Sequence, residues 1–175
     1  MSTATLTPGG LYIFLYLNST TGQRQFHWAL YHHYDHHDEM KRNATVTYTK
    51  GYKYHIRNIG AGWIADHSSK SGIINSTFLI GSILIGNIDP SLSKQVTDIV
   101  TQYDETLNDI PGVTCRVWLE TVLQNLIDGN ILKLGGTIAQ LGEEIMQIGD
   151  ENEGDALIGI LPRPTWTSSL AVWCR

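Results

Sequence analysis

Hydrophobic positions recur about every two residues through the first half of the chain and at helical spacing through the second. The dense apolar run LYIFLYLN at 11–18, the turn TTGQ and the segment RQFHWALYHHY at 24–34 predict a β-hairpin. HHDEMKRN reads as a polar loop. ATVTYTKGYKYHIRNI at 44–59 alternates well enough for one long strand or two, and GWIADHSS and NSTFLIGSILIGNI supply two more candidates. Beyond Asp89-Pro90, a favourable helix start, Leu92, Val96, Ile99 and Val100 share a helical stripe. In TCRVWLETVLQNLIDG the apolar positions 115, 118, 119, 122, 123, 126 and 127 make one face of a helix that Gly129 stops. GTIAQLGEEIMQIGDENEG predicts a third, shorter helix. The expected fold is α+β: an antiparallel sheet of five or six strands packed against about three helices. We expect a single domain over 1–175, with a core at 10–150 and an extended tail at 151–175 packed on the surface.

Composition narrows the function classes. At 42% hydrophobic and 17% charged residues the chain can bury a core, which argues against disorder. A net charge of −5 argues against a nucleic-acid partner, which favours a basic surface. The start, MSTATLTPGG, lacks the pattern of a secretory signal, and the apolar run FLIGSILIGNI is too short to span a bilayer. The sequons at Asn18, Asn43 and Asn75 then read as chance matches. With only Cys115 and Cys174, a disulfide framework is not expected, and a cytoplasmic protein with free thiols is the simpler reading.

Three residues stand out for chemistry. Pro111-Gly112 breaks the chain before Thr114, a good N-cap, so Cys115 falls in the first turn of a helix. There the helix dipole favours a thiolate and free amides can hold an oxyanion. The plainer account makes Cys115 a buried small hydrophobe beside Trp118 and Leu119. His27 occupies the less apolar face of its strand and His55 lies in GYKYHIRN. If their strands pair, the two rings can meet. Each alone also fits an ordinary polar-face histidine. A nucleophilic thiol requires a base and an orienting group, and these three match that requirement in residue type. The remaining histidines of HHYDHH, at 32, 33, 36 and 37, suit a solvated loop better than a zinc site. Zinc through His33, His37 and a carboxylate is the competing account.

HWALY, then YKYHI, then a cysteine opening a helix in TCRVWLETVL resemble the permuted papain-like fold of the lecithin–retinol acyltransferase group. The resemblance implies His27 as base, His55 as third member and Cys115 as nucleophile. A second likeness, covering roughly 10–150, is to uncharacterised fungal proteins. These share a G-x-x-Y-H-x-x-N strand (Gly51, Tyr54, His55, Asn58), an aromatic strand with Trp63, an LIGSILIG-like segment and a C-R-x-W helix (Cys115, Arg116, Trp118). The expected substrate contacts are Trp28, Asn58, Trp63, Arg116 and Trp118. The acyltransferase group has Asn-Cys-Glu-His where this chain has Thr114-Cys115-Arg116-Val117.

The leading expectation is a small cysteine-dependent hydrolase or acyl or peptidyl transferase, without cofactor or metal, acting on a small molecule or peptide. It requires no nucleic acid and no membrane span, and it allows a homodimer. Competing expectations are a non-catalytic binding or self-association module on the same fold, suited by five tryptophans and eight tyrosines, and a metal protein built on the histidine loop.

Overall fold

The structure, a computed structural model, describes residues 6–18, 26–41, 44–69 and 76–173, with backbone alone at 35–41, 44–50 and 69. It is an α+β fold. Strands β1 (Gly10–Tyr16), β2 (His27–Lys41), β3 (Ala44–Tyr54), β6 (Ser68–Ser69), β7 (Leu79–Asn87) and β8 (Thr165–Val172) form one sheet in the order β6-β3-β2-β1-β7-β8. A separate two-stranded ribbon joins β4 (Ile56–Asn58) to β5 (Trp63–Ala65). The helices are α1 (Ser93–Thr101), α2 (Cys115–Asp128) and α3 (Ile138–Leu157).

The central strands β1 and β7 are buried along nearly their whole length, which explains runs too apolar for simple alternation. One face carries the main core. Leu11, Ile13, Leu15, Trp28 and Leu30 meet Val96 and Val100 of α1, Trp118, Leu119 and Val122 of α2, and Leu141 and Ile145 of α3. The other face holds a smaller aromatic cluster of Tyr12, Phe14 and Tyr31, with Phe14 stacked on Tyr31 at 4.8 Å between ring centroids.

Several expectations are revised. HHDEMKRN is not a loop as a whole: β2 runs on to Lys41 and pairs with β3 as far as Lys41↔Ala44. Pairing supplies the backbone hydrogen bonds that a polar segment would otherwise take from water. His32 and His33 are therefore buried strand residues. The side chains of His36 and His37, and so the zinc alternative through His33 and His37, lie outside the described residues. The sheet is mixed, because β8 lies parallel to β7. The segment 151–175 is not simply a surface tail: α3 extends to Leu157 and is the longest helix, and β8 is an edge strand. Arg163 anchors the connection between them. Its buried guanidinium donates to the carbonyls of Ile160 at 3.0 Å and Thr77 at 2.7 Å, tying this crossover to the residues before β7.

Candidate functional site: a histidine chain and a thiol at a helix start

The pairing of β1, β2 and β3 brings distant histidines together. β1 and β2 run antiparallel with Tyr16 opposite His27, and the last β2–β3 pair is Leu30↔Tyr54. Past Tyr54 the chain leaves the sheet, which frees the β2 edge near His27 and turns His55 toward it. His27 Nε2 and His55 Nδ1 lie 3.0 Å apart. The β4–β5 ribbon then doubles the chain back. Gly60 and Gly62, at φ +87° and +141°, make the tight turn, and Ile56 pairs with Ala65. Asp66 consequently returns to His55: its amide donates to the His55 carbonyl at 2.9 Å, and its carboxylate sits 3.6 Å from His55 Nε2. The same carboxylate meets Arg57 Nε at 3.1 Å.

The direction of the His27–His55 hydrogen bond depends on the tautomers. The Asp66 carboxylate, at 3.6 Å beyond hydrogen-bond distance, favours the His55 proton on Nε2 through its charge. In that arrangement His55 Nδ1 accepts and His27 donates from Nε2, keeping the lone pair on its own Nδ1. Burial first, then the charge of Lys53, lowers the His27 pKa to about 4, against the opposing pull of Asp66. Burial, Lys53 and His27 lower that of His55 to about 3. Both rings are neutral at neutral pH, as a lone-pair base requires.

A third histidine supports this pair. The His55 amide donates to His67 Nδ1 at 3.2 Å, so His67 is protonated on Nε2, which donates to Asp104 at 3.0 Å. The His67 ring stacks on Trp118 of α2, with centroids 6.0 Å apart. Asp66, His67 and Asp104 were not singled out by the sequence reading. The adjacent Asp66-His67 pair is a faint signal, and Asp104 carries none.

Cys115 is the first residue of α2. Thr114 caps the helix, its hydroxyl oxygen accepting from the Val117 amide at 3.1 Å. The thiol is buried and directs its hydrogen at the Phe26 carbonyl, 3.8 Å away. Burial raises its pKa, while the backbone amides of Trp28, Arg116 and Cys115 pull it down. The groups holding the sulfur, Phe26 O and the Trp28 amide, bracket His27 in sequence. Among the described residues no hydrogen bond joins Cys115 to a histidine.

The other expected contacts divide. Trp28 and Trp118 are buried in the main core, where they pack. Arg116 lies over the Trp28 ring at 5.3 Å and bonds Glu120 at 2.7 Å. Asn58 accepts from the Gly60 amide at 2.7 Å and so stiffens the ribbon turn. Trp63 exchanges backbone hydrogen bonds with the Asn108 side chain at 2.8 and 3.1 Å. None of these five lines the pocket that opens beside His27. That pocket, about 360 Å³, is bounded by Tyr16, Leu17, Asn18, His27, Lys53, Arg57, Ser76 and Phe78. Among the described residues no three His, Cys, Asp or Glu side chains converge in a way that would hold a metal ion, and no helix is long and apolar enough to cross a membrane.

No curated protein and no solved structure matches the chain. Its match is to a sequence family, over residues 10–144, which spans β1 to the start of α3 and takes in the whole histidine chain and Cys115. The chain belongs to that family, a family of unknown function designated DUF6914.

Proposed function

We propose that the protein is a cysteine-dependent hydrolase or acyl transferase in which Cys115 is the nucleophile, His27 the base and His55 the residue that orients it. The observation that carries this reading is the 3.0 Å hydrogen bond between His27 Nε2 and His55 Nδ1, which, with the proton on His27 Nε2, leaves His27 Nδ1 as a lone-pair acceptor. The peptide segment around that histidine also holds the Cys115 sulfur. A raised thiol pKa and a lowered imidazole pKa describe a resting pair that is neutral on both sides. Activation then follows general-base logic: His27 takes the thiol proton as the sulfur attacks, so no thiolate accumulates beforehand.

Sulfur adds to the carbonyl carbon of an amide or ester, and the proton passes to His27. The amides of Cys115 and Arg116 at the helix start stabilise the oxyanion. Collapse returns the proton to the departing amine or alcohol and leaves a thioester on Cys115. Water, or an acceptor nucleophile in a transferase, discharges the thioester with His27 again as base. Contact between sulfur and His27 is required when substrate binds.

A second reading is favoured by the buried thiol and by the absence of a Cys115–histidine hydrogen bond among the described residues: a non-catalytic binding module built around the pocket. Two measurements separate them. Alkylation of Cys115 by iodoacetamide in the native protein, followed by peptide mapping so that Cys174 is scored apart, should slow at least about tenfold in His27→Ala. Incubation with p-nitrophenyl acetate should leave an acetyl group on Cys115. A Cys115 inert to both reagents, in a protein that remains folded, selects the module.

A further inference from the structure

We propose that the loop between α3 and β8, residues 157–161, together with Phe78, is a docking surface for a partner segment that is both apolar and basic, such as a helix whose leucine face is bordered by lysines. The surface includes none of Cys115, His27 and His55, so the inference goes beyond the cysteine reading.

Leu157, Ile158, Ile160 and Leu161 stand out from the end of α3, and Phe78 joins them. Their exposure runs from 48% to 75%. Single exposed apolar residues are ordinary, but five large ones on adjoining segments make a patch of the kind that meets a partner. The segments adjoin because one guanidinium bonds both: Arg163 donates to the carbonyls of Ile160 and of Thr77, the residue before Phe78. The loop also has a fixed shape. The Ile158 amide donates to the Gly154 carbonyl at 3.2 Å, the Gly159 amide to that of Ala156 at 3.2 Å and the Ile160 amide to that of Asp155 at 3.0 Å, while Gly159 takes φ +76°. Arg163 adds a bond to the Ala156 carbonyl at 3.4 Å, and it is buried with no carboxylate partner among the described residues. Burying such a cation is costly. Here it holds apolar side chains outward rather than inward.

Charge selects the occupant. Between residues 134 and 173 the sequence has six acids and one basic residue, the buried Arg163. Four of the acids, Asp150, Glu151, Glu153 and Asp155, fall in the last turns of α3, directly before the apolar loop. None of the four forms an ion pair among the described residues. They stand toward the negative end of the helix dipole, which does not offset them. Lys or Arg beside an apolar face would do so. A second copy would set the same acids against each other across a two-fold axis, and an anionic lipid surface would meet the same repulsion.

Fluorescence anisotropy of a dye-labelled amphipathic peptide, LKKLLKLLKKLLKL, with the full chain tests this, and the charge-reversed peptide LEELLELLEELLEL is the control. The lysine peptide should bind at least about tenfold more tightly than the glutamate peptide. Ile158→Ser combined with Leu161→Ser should weaken that binding at least about tenfold, which plain attraction to an acidic protein would not show. Glu153→Gln combined with Asp155→Asn should weaken it too. Glu105→Gln combined with Asp109→Asn, acids outside the surface, should leave it unchanged, as should Cys115→Ser. If the serine variant fails to fold, amide hydrogen exchange of the unaltered protein should slow at 157–161 when the lysine peptide is added. Equal binding of the two peptides, undiminished binding to the serine variant, or no slowing at 157–161 overturns the proposal. Dimerisation in sedimentation that the serine variant loses would assign the surface to a second copy and overturn it as well. So would binding to phosphatidylcholine vesicles by a protein that ignores the lysine peptide.

Discussion

His27 Nε2 and His55 Nδ1 lie 3.0 Å apart, although 28 positions separate the residues. Each neutral ring has one proton to place, and the Asp66 carboxylate, 3.6 Å from His55 Nε2, favours that nitrogen by its charge. With the proton there, His55 Nδ1 accepts from His27.

Replacing Asp66 should therefore disturb proton placement more than stability. Asp66 is about half exposed, and exposed pairs of this kind contribute less than about 1 kcal/mol. Asp66→Asn should shift the midpoint of thermal unfolding only slightly. In nitrogen NMR spectra the unaltered protein should show His27 protonated on Nε2 with Nδ1 bare, and the variant should show mixed tautomers for His27 and His55.

Stability should fall in mild acid. Burial lowers the pKa of His32 from 6.5 to about 4, although a ring N–H bonds the Ile88 carbonyl, and the folded-state values of His27 and His55 are about 4 and 3. The unfolded chain therefore binds protons first as pH drops below 6.5. The stabilisation is complete above that value and is lost down to about pH 4 for His27 and His32 and about pH 3 for His55, at about 1.4 kcal/mol per pH unit for each independent histidine. His27 and His55 touch and titrate as a pair, while His32 acts separately. Urea unfolding at about pH 7 and about pH 5 should show a loss of at least about 2 kcal/mol, and His32→Gln should flatten the dependence.

Gly51 is required by its neighbour. It lies opposite His33 on β3, and a Cβ there would collide with the Tyr31 hydroxyl oxygen and come 2.7 Å from the His32 carbonyl oxygen. The carbonyl belongs to a paired strand and Tyr31 is buried, so neither yields cheaply. Gly51→Ala should cost about 1–3 kcal/mol by overcrowding. Denaturant midpoints measure this, and a neutral or stabilising effect would contradict the packing described.

The Thr114 cap can be tested in two ways at once. Thr114→Ala removes the acceptor for the Val117 amide and should cost about 1 kcal/mol. Thr114→Ser keeps an oxygen in place and should recover most of that loss. Because the same helix start holds the Cys115 amide, the alanine variant should also change the rate of Cys115 alkylation, and the serine variant should restore it.

Sequence pattern by itself determined the class of fold, the three helices and the place of Cys115 just inside the Thr114 cap. These follow from local rules: helical stripes, strand alternation, and caps that act over three or four residues. The antiparallel pairing of β1 with β2 and the second-half helices were legible for that reason, while the TTGQ turn lies outside the described residues. Tertiary structure decided what locality cannot carry. Whether His27 meets His55 depends on β3 leaving the sheet after Tyr54, and whether Asp66 meets His55 depends on the register of the β4–β5 ribbon. The roles of His67 and Asp104 depend on a contact across 37 positions. The tail became strand β8 by pairing parallel to β7, and the buried Arg163 just before it reaches the Thr77 carbonyl, 86 positions away. Such contacts depend on the path of the whole chain. A polar residue in a sequence shows what it can bond, and only the fold brings it the partner.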